Sequence, residues 1–256
     1  MNKFRPKNIQ ETLNKVPQVT LIFWIIKIAA TTLGETGGDT VSMSMNLGYL
    51  WGTAIFAGLF MVAVVAQIKA TAFHPSLYWL TIIATTTVGT TLADFADRSL
   101  GIGYAGGSLL LCGLLAMSLI AWYRSMGTIS VQSINSDKAE TFYWVTIMLS
   151  QTLGTALGDW TADTAGLGYS GGAVIFDGLL LLLVAAYYWT NISRTLLFWA
   201  AFILTRPLGA VVGDFLDKPL SSGGMALDRA SASFVLFTFM LACILFFKQK
   251  SAVTSH

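Results

Sequence analysis

Hydrophobic residues fall into eight long runs along this chain, and polar residues recur inside every second run. About 20 apolar residues cross a bilayer as a helix, so the runs predict eight transmembrane helices. We place these helices at residues 19–41, 49–69, 77–97, 103–123, 141–162, 169–189, 196–216 and 230–247. The pattern therefore predicts an all-α integral membrane protein.

The polar residues show that the chain contains four copies of one repeat. In each copy a glycine follows a tryptophan by ten residues, and an aspartate follows the same tryptophan by fifteen. The tryptophans are Trp24, Trp79, Trp144 and Trp199, the glycines are Gly34, Gly89, Gly154 and Gly209, and the aspartates are Asp39, Asp94, Asp159 and Asp214. Each copy spans the membrane twice, so all four repeats have the same orientation about an axis along the membrane normal.

The spacing of the tryptophans predicts how the chain is divided. Successive tryptophans are 55, 65 and 55 residues apart, and the ten additional residues fall in a polar segment at 124–140. We therefore predict a first membrane half at 18–123, with repeats one and two, and a second at 141–247, with repeats three and four. Residues 124–140 then form a cytoplasmic linker, 1–17 a basic cytoplasmic N-terminus and 248–256 a cytoplasmic tail.

Lysine and arginine are distributed unequally between the two sides of the predicted membrane domain. Ten lie on the side of both termini and three on the opposite side. Because basic residues favour the cytoplasmic side, both termini are predicted to be cytoplasmic, in a multi-pass protein of the inner (cytoplasmic) membrane. The four tryptophans then lie near the cytoplasmic interface, where we expect them to act as anchors.

Composition argues against several classes of protein. The chain of 256 residues is 55% hydrophobic and 11% charged, whereas soluble domains have about 25% charged residues. Its basic residues are scattered, so we expect no nucleic-acid partner. With two cysteines and two histidines in the chain, we expect no thiolate or imidazole metal centre and no cofactor. No hydrolase or protease motif is present, so we do not expect an enzyme.

Polar side chains form a stripe along the first helix of each repeat. Residues four and eight positions apart share one face of a helix, so we read back from each aspartate in steps of four. Besides the aspartates, the stripes contain Lys27, Thr31, Glu35, Thr86, Thr90, Gln151, Thr155 and Arg206. Polar stripes avoid lipid, so we expect four inner helices around a polar core and four outer helices that cover them.

Three charged residues break the fourfold pattern. Glu35 stands where other repeats have Thr90 and Thr155, and Lys27 and Arg206 stand where other repeats have uncharged residues. Ring closure brings the first and fourth repeats together, so we expect Glu35 to pair with Arg206 or Lys27. Such a pair either maintains the register of the helices or acts as a gate.

The acidic residues indicate a cation as the ligand. The repeats contain ten carboxylates and five basic residues, and oxygen ligands suit Mg²⁺, Mn²⁺ or Ca²⁺. Protons and organic amines also fit. We therefore expect a cation transporter, for a divalent metal or coupled to protons, with a ring of intramembrane carboxylates. The expected ion or substrate site contains Glu35, Asp39, Asp94, Asp159, Asp214, Thr31, Thr86, Thr90, Gln151 and Thr155.

Within that site we assign separate roles to two groups of residues. Glu35 and the four aspartates are the expected metal ligands, and Lys27 and Arg206 are expected in charge pairing or gating. The expected partners are the lipid bilayer and a small cation or another small solute, and the oligomeric state stays open. A structural or sensory membrane subunit is the alternative function, and a membrane-embedded enzyme is a third.

Four tandem two-helix repeats with this tryptophan, glycine and aspartate resemble a family of bacterial integral membrane proteins. That family is known mainly as a fourfold repeat of unknown function. The resemblance covers residues 20–247, and the fourth copy departs most because Arg206 and Pro207 replace a threonine-rich pair. The resemblance implies the fold and assigns no activity.

Overall fold

The computed structural model describes residues 14–252. Within that range the chain forms eight long α-helices and no β-sheet. The helices are α1 (Leu21–Asp39), α2 (Gly48–Lys69), α3 (Pro75–Asp94), α4 (Tyr104–Met126), α5 (Asp137–Asp159), α6 (Gly168–Trp189), α7 (Arg194–Asp217) and α8 (Arg229–Phe246). Their ends agree with the predicted runs to within four residues. Parts of the predicted N-terminus and tail, 1–13 and 253–256, lie outside the described residues.

The four odd-numbered helices form an inner ring. Helix α1 packs against α3, α3 against α5, α5 against α7, and α7 against α1. Their polar stripes face one another, which removes threonine, glutamine and charged side chains from the outer surface of the bundle. The predicted arrangement of inner helices around a polar core is therefore confirmed.

Each outer helix covers the inner helix of the following repeat. Helix α2 packs on α3, α4 on α5, α6 on α7, and α8 returns to α1. Every repeat therefore depends on its neighbour to bury its inner helix. The two predicted halves, 18–123 and 141–247, contribute two inner helices each to one common ring, and the division into halves stays a prediction.

The two ends of the bundle differ. The first and last described segments of the chain meet at one end, here called the terminus end, where Gln18 N donates to Lys250 O at 2.9 Å. The repeated tryptophans lie near this end. The rings of Trp79, Trp144 and Trp199 each contact the aromatic residue that directly precedes the tryptophan of the preceding repeat. The repeated aspartates gather at the opposite end, here called the turn end, close to the glycine-rich turns. The inner helices are therefore parallel.

The tryptophans correct one expectation, since three of the four are not interfacial anchors. Trp79, Trp144 and Trp199 are at most 2% exposed. They pack in an aromatic layer that also contains Tyr78 and Tyr143, whose hydroxyl oxygens are 2.6 Å apart. Apolar ring surface is therefore buried here between neighbouring inner helices.

The repeated glycine lets neighbouring inner helices approach closely. A Cβ atom at each of these glycines would lie 3.0 Å or less from the residue that stands eight positions before the aspartate of a neighbouring repeat. The contacts are Gly34 with Thr86, Gly89 with Gln151, Gly154 with Arg206, and Gly209 with Thr31. The same contact is thus made four times around the ring, which explains the fixed spacing of glycine and aspartate.

The inner helices of the first three repeats continue past their aspartates as π-helical turns. These turns are Thr40–Ser44, Phe95–Ser99 and Trp160–Thr164. Each is closed by a hydrogen bond across five residues, such as Met45 N to Thr40 O at 2.9 Å. In the fourth repeat, α7 instead ends at Asp217 and Lys218 is extended. The turn end is therefore less symmetric than the ring beneath it.

Five of the described helices are long and apolar enough to cross a membrane: α2, α4, α6, α7 and α8. The four outer helices among them present large apolar side chains outward, including Leu109, Val174 and Phe246. The inner helices α1, α3 and α5 have lower hydropathy than α7 because they contain more residues of the polar stripes. These observations indicate a helical membrane protein.

Candidate functional site

The four repeated aspartates form a buried group, here called the acidic ring. Asp39, Asp94, Asp159 and Asp214 are each at most 3% exposed. Carboxylate oxygens of Asp39, Asp94 and Glu35 lie within 4.8 Å of one another. The same is true of Asp159, Asp214 and Glu35. Glu35 therefore belongs to both halves of a cluster that brings together all five predicted metal ligands.

Arg98 bridges the aspartates of the second and third repeats. Its Nε atom is 2.9 Å from Asp94 Oδ1, and its Nη2 atom is 3.4 Å from Asp159 Oδ2. Arg98 follows Asp94 by four residues, so the helix itself aligns the first pair. The second pair joins α3 to α5.

Lys218 has the equivalent position in the fourth repeat. Its Nζ atom is 2.7 Å from Asp39 Oδ2 and 2.9 Å from Asp214 Oδ1, so it joins the fourth repeat to the first. Arg229 lies beside it, with Nε 2.7 Å from Asp217 Oδ2 and 3.8 Å from Asp39 Oδ2. The repeats with a bridging cation alternate with repeats that lack one, so the charged ring is twofold rather than fourfold.

The acidic ring has more negative than positive charge. Four carboxylates against the two bridging cations leave a formal excess of two negative charges when all are ionised. Glu35 and Asp217 are balanced separately by Arg206 and Arg229. Oxygen atoms at these separations can be ligands of one ion, because Ca²⁺ binds oxygen at about 2.3–2.6 Å. The residues therefore fit a divalent cation held by oxygen.

Arg206 occupies the axis of the inner ring one helical turn below the acidic ring. It is fully buried, and its Nη2 atom donates to Glu35 Oε2 at 2.9 Å, to Thr90 Oγ1 at 2.6 Å and to Thr155 Oγ1. These three acceptors stand four residues before an aspartate in the first three repeats. The fourth repeat has Ala210 at the corresponding position. The expected pairing of Glu35 with Arg206 is therefore present, and Arg206 links α7 to α1, α3 and α5.

Two predicted site threonines join helices instead of lining the acidic ring. Thr31 Oγ1 donates to Thr205 O at 3.1 Å, and Thr86 Oγ1 donates to Ala30 O at 3.2 Å. Both hydroxyls also bond to a carbonyl of their own helix. They therefore satisfy backbone acceptors where inner helices touch.

Lys27 and Gln151 lie closer to the terminus end and are fully buried. Lys27 Nζ lies 4.2 Å from the centroid of the Phe202 ring and forms no ion pair with any residue in 14–252. The Gln151 amide atoms have no hydrogen-bond partner among the same residues. Lys27 is therefore not the partner of Glu35.

Sequence reasoning missed a set of tyrosines at the turn end. Tyr49, Tyr104 and Tyr169 each follow an aspartate of the acidic ring by ten residues. Arg98 Nε donates to Tyr104 Oη at 2.9 Å, and its Nη1 donates to Tyr49 Oη at 3.2 Å. The signal was the tyrosine that recurs in the glycine-rich turns. Two of these hydroxyls orient the bridging arginine, whose side chain is 28% exposed.

A family model described as Repeat of Unknown Function (DUF347) matches the chain four times, at residues 22–73, 77–128, 142–193 and 197–250. Each match covers most of one inner helix and the whole of the outer helix that follows it. Comparison with curated proteins and with solved structures finds no match.

Proposed function

The chain belongs to the family described as Repeat of Unknown Function (DUF347), and because that description names no activity, we propose a function from the site. The protein is a transporter of a small cation, with eight membrane spans and the acidic ring as its binding site. The observation that carries this proposal is the group of four symmetry-related, buried aspartates that share Glu35 as a fifth carboxylate.

The eight-span arrangement is supported by how the helices cover one another. Helices α1, α3 and α5 contain 19, 20 and 23 residues, and about 20 residues suffice to cross the bilayer. Their polar faces are turned inward, and each has an apolar outer helix packed against it. With both termini in the cytoplasm, the turn end faces outward from the inner membrane and the acidic ring is closer to that side.

The charge of the acidic ring supports a divalent cation. Two excess negative charges match one divalent ion, and carboxylates replace the water oxygens that the ion loses on entry. An ion that takes Glu35 as a ligand also competes with Arg206 for the same carboxylate. Binding would thereby weaken the contact by which Arg206 joins α7 to α1, and this couples occupancy of the acidic ring to the packing of the inner helices.

The test compares one variant of the acidic ring with one outer carboxylate. Asp159→Asn removes the longer of the two contacts of Arg98 and leaves its 2.9 Å contact with Asp94 in place. Asp177→Asn is the matched control, because Asp177 is exposed on α6. We expect Mg²⁺, Mn²⁺ or Ca²⁺ to raise the Tm of the purified protein and to enter proteoliposomes. Asp159→Asn should weaken binding at least about tenfold, because carboxylate number sets affinity.

Two results would contradict the proposal. One is wild-type protein that shows neither a thermal shift nor uptake with any of these ions. The other is a loss of uptake in Asp177→Asn equal to that in Asp159→Asn. In the first case the acidic ring would serve to join the repeats of a structural or sensory subunit, since Arg98 and Lys218 already link neighbouring helices there.

A further inference from the structure

Three fully buried polar side chains near the middle of the bundle have nitrogen atoms without partners. They are Lys27, Gln151 and Arg206, here called the donor cluster, and each is 0% exposed. Four of their nitrogens have no hydrogen-bond partner within residues 14–252: Lys27 Nζ, Gln151 Nε2, Arg206 Nε and Arg206 Nη1. Buried polar groups are nearly always hydrogen-bonded, so this concentration calls for a ligand.

The contacts of these residues place them in one region of the axis. Arg206 bonds Thr155 on α5, and Gln151 lies one turn below Thr155 on the same face. On α7, Phe202 lies one turn below Arg206. Lys27 Nζ, from α1, lies 4.2 Å from the centroid of the Phe202 ring. The donor cluster therefore lies between the Arg206 contact with Glu35 above and the aromatic layer below.

The chemistry of the donor cluster selects an anion. Its unpartnered atoms are four nitrogens that carry hydrogen and one acceptor, Gln151 Oε1. The charge of Arg206 is balanced by Glu35, whereas Lys27 has no carboxylate within 4.0 Å among the described residues. A buried cation without a counter-ion is unfavourable, and a spherical anion accepts hydrogen bonds from several directions while it balances that charge.

We propose that Lys27, Gln151 and Arg206 bind a small monovalent inorganic anion of the halide type in the centre of the bundle. This site is separate from the acidic ring, and Arg206 uses different nitrogens toward Glu35 and toward the anion. Nη2 faces Glu35 and the two threonines, whereas Nε and Nη1, on opposite edges of the guanidinium, have no partner among the described residues, and one of them donates to the anion. The anion accepts a hydrogen bond from Arg206 on the side of the terminus end, and Glu35 accepts one on the side of the turn end.

The experiment measures the Tm of the purified protein in sodium chloride, bromide or gluconate at equal ionic strength, with a chelator present to remove divalent cations. We expect chloride and bromide to raise the Tm by about 5 °C over gluconate at concentrations well above Kd. Lys27→Met keeps a long apolar stem without the charge and should lose the shift. Lys138→Met, at an exposed lysine in the first turn of α5, should keep it.

A second measurement does not depend on a variant that folds. Crystals of the wild-type protein grown in bromide should show an anomalous scattering peak between Lys27 and Arg206. A wild-type Tm that does not respond to chloride or bromide overturns the proposal, and so does a bromide peak found elsewhere alone. An unchanged shift in Lys27→Met overturns it as well. Because divalent cations are removed, these outcomes are independent of whether the acidic ring transports a cation.

Discussion

Glycine and carboxylate residues make contacts between repeats on the inner helices but are open or exposed at the compared positions on the outer helices. On the inner helices, glycine is in contact with a neighbouring helix and carboxylates bridge repeats through Arg98 and Lys218. On the outer helices, a Cβ at Gly58 would meet no atom of the described residues within 4 Å. The carboxylate of Asp177 is likewise on an exposed face.

Contact between repeats, and not the repeat by itself, therefore determines where polar residues are needed. An outer helix packs on an inner helix on one side and exposes apolar side chains on the other. An inner helix meets two other inner helices as well as the outer helix that covers it, so its small and polar residues have defined partners. Substitutions of the same chemical kind should therefore have different effects in the two layers.

The largest effect is expected for Glu35→Gln. The change leaves the fully buried Arg206 without its counter-ion, and removal of one partner from a buried pair costs about 3–5 kcal/mol. The free energy of unfolding in detergent or lipid measures the effect. Asp177→Asn, the same loss of charge on an outer helix, should change stability by less than about 0.5 kcal/mol. Equal effects in the two variants would show that the Glu35 pair is solvated.

The next effect is expected for Gly209→Ala. The new Cβ atom would lie 2.5 Å from Thr31 Cβ and 2.8 Å from the Thr31 carbonyl carbon, closer than atoms can pack. Because backbone as well as side chain must move, we expect a loss of about 1–3 kcal/mol. Denaturation of the variant beside the wild type measures this, and unchanged stability would mean that α1 and α7 are further apart than described here.

The pH dependence of stability should separate a buried from an exposed carboxylate in the first turn of α5, before the predicted span 141–162. Burial raises the pKa of Glu140 to about 7, although the nearby Lys15 ammonium opposes the rise. The folded protein therefore binds this proton more tightly than the unfolded chain does. Its contribution to stability is full below about pH 4.3 and is lost as the pH rises through 7.

Glu140→Gln removes this titration. We expect wild-type stability to fall by up to about 1.4 kcal/mol per pH unit across that window relative to the variant. The exposed Asp137 in the same turn supplies the control, and Asp137→Asn should retain the wild-type slope. Parallel pH profiles for wild type and Glu140→Gln would contradict the assignment.

The smallest effect, and one of opposite sign, is expected for Gly58→Ala on α2. The site has space for a methyl group, and alanine is a better helix former than glycine by about 0.5–1 kcal/mol. We therefore expect a gain in stability of up to that amount, measured in the same assay as Gly209→Ala. A loss of stability in Gly58→Ala would show that another molecule or helix contacts this face of α2.

Much of the fold follows from residues that are close in sequence. The apolar runs predicted all eight helices, and the stripe in steps of four identified which helices lie inside, because both properties depend on helix periodicity alone. The recurrence of glycine and aspartate predicted the fourfold ring. The charged residues predicted that Glu35 pairs with Arg206 or Lys27, since closure of a ring brings the first and last repeats together, and the structure shows the pair with Arg206.

Most contacts between residues more than 50 positions apart could not be predicted from the sequence. The tertiary structure alone shows that each outer helix covers the next repeat, that Arg98 and Lys218 each join two aspartates, and that three tryptophans are buried. It also left Lys27 beside an aromatic ring and away from Glu35. The physical reason is that periodicity assigns a side chain to a face of its helix, whereas its partner depends on how neighbouring helices are spaced and how far a side chain such as Arg206 reaches between them.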